Sequence, residues 1–446
     1  MSEPSSRESA TMGRDTGLVR ALGVREIAFN TVNLVVGASI FVLPADPKLM
    51  WPSGIVAYVV CAITIGFVAL CFAEAGSRVS ATGGVYAYAE TAFGPFVGYL
   101  TGVITWFGSF MIGGAAVAVA LVNSIGVLIP AAAGTVVHNT LLIAIYVTLA
   151  AVNIRGVQTG ARFVEWLTIV KLAPLFLLIG VGVFYVDPSN LAWAPTPTAH
   201  QIADGSLLLI FAFLGMEAAV TPGGEIRDPA RTVPRSILFA LLLITVLYIA
   251  IQVVAQGVLG PALQQNPDAP LAAAAAKTMG SAGRLMLLAA AIVSAFGYLA
   301  GDMLTSPRLL YAFGRDGHLP GVFARVHERF RTPHVAIAVH TAAALAFALS
   351  STFGKLVIMA TVCTLLIYGI CAVSVIAMRM KGIRTSAEPF VIPGGPVVPL
   401  LACAVVVGLL SRATRTEYTA VAITLAVALV PYGAVWLVRR QRAPAT

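Results

Sequence analysis

The stretch Asn30-Thr-Val-Asn-Leu-Val-Val-Gly-Ala-Ser-Ile-Phe-Val-Leu-Pro44 is apolar enough to enter a bilayer, yet Gly37-Ala38-Ser39 sits in its middle and Pro44 closes it. Glycine is the poorest ordinary helix former, and serine offers the backbone competing hydrogen bonds. In hydrocarbon, a broken backbone survives only where protein buries it or where it lines a cavity. The stretch therefore predicts an interrupted membrane span and a site at the interruption.

The surrounding chain is that of an integral membrane protein. Its 446 residues are 59% hydrophobic and 11% charged, with a mean hydropathy of +0.90. A soluble domain is about 45–50% apolar and about 25% charged. Apolar runs long enough to cross, about 20 residues each, fall at roughly 26–49, 54–77, 95–128, 136–152, 160–185, 203–223, 235–258, 283–305, 334–351, 356–378, 397–411 and 417–438. These amount to about twelve spans, an even number that puts both termini on one side. Most of the 28 lysines and arginines fall on that same side, so the positive-inside rule makes both termini cytoplasmic in a cell membrane. The same placement accounts for the net charge of +9 without nucleic acid, which needs a folded basic surface. The first residues are polar, with Arg7, Arg14, Arg20 and Arg25, and show no cleavable signal peptide.

Other chemistry is poorly represented. Cys61, Cys71, Cys363, Cys371 and Cys403 all fall in apolar runs and read as small packing residues, not as disulfides or metal ligands. His138, His200, His318, His327, His334 and His340 read as lying in or near connections, and no HExxH motif stands in a span. No enzyme, cofactor or metal site is expected. No connection is long enough for a soluble domain, which argues against a membrane sensor or a partner-dependent subunit.

A second weak point lies in the sixth run, Leu208-Leu-Ile-Phe211-Ala-Phe213-Leu-Gly215-Met-Glu217, followed by Pro222-Gly223-Gly224-Glu225. Interrupted spans five apart are what a repeat of spans one to five in spans six to ten would produce, and an odd number of spans inverts the second copy. Such paired interruptions point to a transporter site near the midplane. Freed N–H groups attract a carboxylate, and freed carbonyls attract an ammonium group. The simpler alternative is that Gly37 and Gly215 only let helices approach closely.

Several segments together resemble the amino acid/polyamine/organocation permeases over nearly the full length. They are Val36-Gly37-Ala38-Ser39-Ile40-Phe41, Glu74 with Gly83-Gly84-Val85-Tyr86-Ala87-Tyr88, Phe211 to Glu217 continuing through Gly224-Glu225 to Arg235, and Ser306-Pro307-Arg308 with Arg315-Asp316-Gly317. The resemblance implies an all-α, leucine-transporter-like core of two inverted five-helix repeats, 26–185 and 203–378, with helices one and six broken. Peripheral spans at 397–438 and cytoplasmic tails at 1–25 and 439–446 complete the arrangement. It implies secondary transport of amino acids or related amines by symport, facilitated passage or exchange. Two departures stand out: Ser39 replaces the second glycine of the span-one motif, and no proline precedes Gly83-Gly84.

On this reading Val36, Gly37, Ala38, Ser39, Ile40, Phe211, Phe213 and Gly215 bind substrate, Phe211 as the aromatic that closes over it. Lys171, Glu217 and Asp302 serve coupling or gating. Lys171 stands about 13 Å into span five, where a cation costs at least about 2.5–3.5 kcal/mol and marks function by default. The resemblance places it where sodium-coupled relatives hold an ion, so an ammonium that loads and releases a proton would couple transport to protons. The alternative is a permanently charged lysine bonded to the carbonyls of the broken span. Glu217 reads as a gate or as a cap on freed backbone groups. Asp302 reads as a pocket acid that binds a cationic substrate or pairs with Lys171, or as a partner of Arg308. The substrate itself, the oligomeric state and the choice between symport and exchange are left open.

Overall fold

The computed structural model describes residues 18–37, 39–129, 134–193, 196–267, 269–350, 353–384 and 388–411, with part of 415–429. The described chain is built from helices, and its one extended pairing is the parallel bridge between Leu22 and Ile226. The first span is interrupted as the glycine predicts. Helix α1 (Val24–Val35) ends where Val36 leaves helical geometry, and the short α2 (Ser39–Val42) restarts beyond it. The two arms meet at an angle of 48°.

Next come α3 (Ser53–Arg78), α4 (Val85–Phe93), α5 (Pro95–Val103) and α6 (Ile112–Leu128). A π-helical segment, Ile104–Met111, joins α5 to α6. Helices α7 (Thr135–Ile154) and α8 (Val157–Gly182) follow. The sixth apolar run is also interrupted: α9 (Ala199–Ile210) tightens into the 3₁₀ turn Phe211–Phe213, and the four-residue α10 (Met216–Ala219) follows Gly215. Then come α11 (Pro229–Leu259), α12 (Pro270–Thr305), α13 (Pro307–Arg315), α14 (His334–Ser350), α15 (Phe353–Met380) and α16 (Val397–Leu410).

Among the described residues, seven helices are long and apolar enough to cross a membrane, or eight if the bent first pair counts as one span. The remaining expected spans do not form helices of that length among the described residues. Span six is cut into pieces by its own break. His334–Ser350 and Val397–Leu410 are apolar but run only 17 and 14 residues. The run at 417–438 falls largely outside the described residues.

Two connections form part of the packed interior. Gly83 and Gly84 take φ values of +131° and +56°, which an L side chain resists. The loop they form lies against the segment after span six, with Gly83 N donating to Thr221 O at 2.8 Å and Gly224 N to Thr82 Oγ1 at 3.0 Å. The stretch that follows α12 supplies α13. That helix is buried from Pro307 to Gly314, because its Arg308 finds Glu225 at 3.2 Å inside the protein.

Candidate functional site

The first break exposes backbone carbonyls, and side chains from two other helices take them up. Lys171 Nζ, on α8, donates to Asn33 O at 2.6 Å and Val36 O at 2.7 Å. Ser294 Oγ, on α12, donates to Val36 O at 2.9 Å and reaches Gly37 O at 3.3 Å. Asn33 Nδ2 donates to Gly297 O at 2.5 Å, tying α1 to α12. Lys171 is fully buried, and among the described residues no carboxylate pairs with it. Its amino group is therefore met by backbone carbonyls alone among the described residues.

The amides at this break are mostly used. Val36 N still donates to Val32 O at 2.9 Å, and Gly37 N turns back to Val35 O at 2.8 Å. The expectation that Val36 onward offers free amides thus needs correction, because a tight turn at Gly37 consumes the first of them. Ser39 and Ile40 open α2. Ala38 lies outside the described residues.

The second break packs directly on the first. Gly215 adopts φ +119°, and a Cβ there would stand 2.9 Å from Leu34 O. Both the close-packing and the chain-breaking readings of this glycine therefore apply at once. Gly215 N donates to Glu217 Oε2 at 3.0 Å, and Tyr368 Oη donates to the same oxygen at 2.7 Å. Ser109, on the π-helical segment, reaches Glu217 Oε1 at 3.5 Å and Thr364 at 2.7 Å. Glu217 thus caps the freed backbone of span six. Phe213 is buried edge-on against Tyr248, with ring centroids 5.3 Å apart. Phe211 opens the 3₁₀ turn, and its side chain lies outside the described residues. The cavity bounded by Thr31, Val35, Phe213 and Met216 holds about 10 Å³, room for about one water and no more.

One residue joins the two breaks. Tyr248 Oη, on α11, lies 3.1 Å from both Val35 O and Ala212 O. A hydroxyl carries one proton, so the two interrupted spans share a single donor. Tyr248, Ser294 and Tyr368 are missing from the sequence reading because a lone hydroxyl in an apolar run has no periodicity or motif to mark it.

Asp302 stands apart from this group. It is buried on α12, with Oδ2 3.5 Å from His340 Nε2, and it accepts from Ser306 Oγ. It pairs with neither Lys171 nor Arg308, which instead engages Glu225. His340 itself corrects the placement of the histidines in connections. It lies inside α14 and is fully buried.

A model of the amino acid permease family matches residues 22–441. The chain belongs to that family. The permease is 27% identical over 442 residues to the methylthioribose transporter of Bacillus subtilis, covering 95% of each chain. It is 27% identical to the branched-chain amino acid permease of the same organism, over 88% of each chain. It is also 28% identical to that organism's serine/threonine exchanger, over 87% of this chain and 90% of the exchanger. The permease is therefore a multi-pass membrane protein.

Proposed function

We propose that this permease is a secondary transporter of amino acids or related amines, moving them by alternating access around the two broken spans. One observation carries the reading: the interruptions at Gly37 and Gly215 pack on one another, with Lys171 seated in the carbonyls of the first. Helix packing alone would not need a buried lysine seated in the carbonyls of the first break. Ser39, Ile40 and Gly215 would line the substrate with Val36, Gly37, Ala38 and Phe211. Phe213 would support the pocket from behind, through Tyr248.

The core is proposed to be leucine-transporter-like, with two inverted five-helix repeats among about twelve spans and both termini cytoplasmic. Transport is proposed to be driven by protons, with Lys171 as the ion surrogate and Glu217 as the gate of span six. The relatives carry different cargo, so the deciding measurement is a panel. Purified protein in liposomes would be offered radiolabelled branched, small neutral and cationic amino acids and methylthioribose, with and without a pH gradient. Accumulation of an amino acid that collapses without the gradient is expected. Transport of no amino acid in any condition would overturn the reading.

Exchange is the second reading, favoured by the likeness to the serine/threonine exchanger. Uptake that requires internal substrate and ignores the gradient would select it.

A further inference from the structure

Away from the broken spans, three helical segments bring together a buried polar group that the transport site does not use. Trp106, on the π-helical segment, donates its indole N–H to His340 Nδ1 at 3.2 Å. The other ring nitrogen of His340 faces Asp302 Oδ2 at 3.5 Å. His340 is fully buried and Asp302 is 2% exposed. An indole N–H is a donor only. While it occupies Nδ1, neutral His340 must carry its proton on Nε2, pointing at the carboxyl. The tautomer is thus set by the hydrogen bond that the opposite nitrogen makes.

Two buried polar atoms here lack a hydrogen-bond partner among the described residues, His340 Nε2 and Tyr146 Oη. Unsatisfied groups of this kind are rare in folded proteins and call for an explanation. The other ionisable neighbours of the pair are few. Tyr146, from α7, and Tyr298, from α12 itself, both lie close enough to Asp302 to feel its charge, and Tyr298 also feels Glu217 of α10. Lys171, from α8, is committed to the carbonyls of α1, and Arg308, from α13, to Glu225. No cation compensates the carboxylate of Asp302 among the described residues, so a proton is the ligand that can.

We propose that Trp106, His340 and Asp302 form a gated proton relay inside the membrane, with Asp302 as the proton-binding group. A proton arriving on Nδ1 forms an N–H bond there. The Nε2–H bond then breaks and its proton passes to Oδ2, leaving a neutral imidazole and a carboxylic acid. Trp106 shuts this route while its N–H fills the Nδ1 lone pair. The gate is tied to the transport site through its own segment, since Ser109, three residues on, reaches Glu217 of the broken span. The relay adds a second proton site to the one proposed at Lys171 and does not require Lys171 to titrate.

The test uses the full permease in lipid bilayers with ¹⁵N-labelled histidine, the His340 signal being identified by its loss in His340→Gln. At neutral pH the native protein is expected to show His340 with its proton on Nε2 and an unprotonated, hydrogen-bonded Nδ1. In Trp106→Phe, Nδ1 is freed, and on acidification the imidazole proton is expected to move from Nε2 to Nδ1 as Asp302 takes up a proton. Infrared difference spectra on acidification should show one protonated carboxyl band that Asp302→Asn removes. In liposomes, Asp302→Asn should retain counterflow and lose at least tenfold of the gradient-driven accumulation. An imidazolium in the native protein at neutral pH would overturn the relay, and so would a Trp106→Phe signal identical to native. Because the spectra need no substrate, they stand or fall separately from the identity of the cargo.

Discussion

Tyr248 concentrates on one hydroxyl what two interrupted helices lack. Its oxygen lies 3.1 Å from both Val35 O and Ala212 O. Leaving a buried acceptor unsatisfied costs about 1–3 kcal/mol. Tyr248→Phe should therefore lower thermal stability in detergent and raise KM while leaving the fold intact. Unchanged melting and unchanged KM would show that the two carbonyls are satisfied in some other way. Lys171 acts at the same scale. Lys171→Met removes the donor to Asn33 O and Val36 O, and uptake is expected to fall at least tenfold and to lose its dependence on external pH. PH-dependent uptake surviving in this variant would assign the lysine a purely structural role. Gly215→Ala places a methyl 2.9 Å from Leu34 O at φ +119°, a conformation costing about 1–2 kcal/mol for an L residue. Loss of transport with a lowered melting temperature is expected, whereas Gly66→Ala, whose added methyl meets nothing closer than 4.0 Å, serves as the control.

At the scale of elements, the end of α1 that carries the N-terminus is fastened shut. Ala21 N and Leu22 N both donate to Glu225 O at 2.9 Å, and Arg227 N returns a bond to Leu22 O at 2.8 Å. Arg25 bonds Glu165 of α8 through its guanidinium, with Nε at 2.6 Å. Arg25 is largely exposed and Glu165 is not, so the pair is partly screened and contributes modestly to stability. Its larger consequence is for motion, because it ties the arm of the broken span to the helix that carries Lys171. Glu165→Gln should leave melting nearly unchanged and increase the labelling rate of a cysteine introduced at Ala28. Equal labelling in both backgrounds would remove this contact from the gate. The interruptions themselves were readable from Gly37 and Gly215, since glycine and the Pro-Gly-Gly run weaken a helix whatever surrounds it. The burial of α13 was not, because Arg308 looks solvent-bound until Glu225 is brought beside it.

At the scale of the whole molecule, composition and the spacing of apolar runs carry the membrane assignment, and the family match over residues 22–441 agrees with it. The proposed topology puts both termini on one face. Cysteines placed one at a time at Ser53 and Glu388 should be labelled from opposite sides of sealed vesicles, and labelling from one side would exclude an odd number of crossings between them.

The sequence by itself determined that the chain is helical and membrane-embedded, where its spans break, and that Lys171 must be answered by something buried. These follow from local backbone preference and from the cost of charge in hydrocarbon, which act on each segment alone. Only the tertiary structure decided what answers it. The carbonyls of Asn33 and Val36 that meet Lys171, the shared hydroxyl of Tyr248, and the meeting of Trp106, His340 and Asp302 join residues 36 to 234 positions apart in the chain. Such pairings depend on which helix faces pack together, and no single segment encodes them.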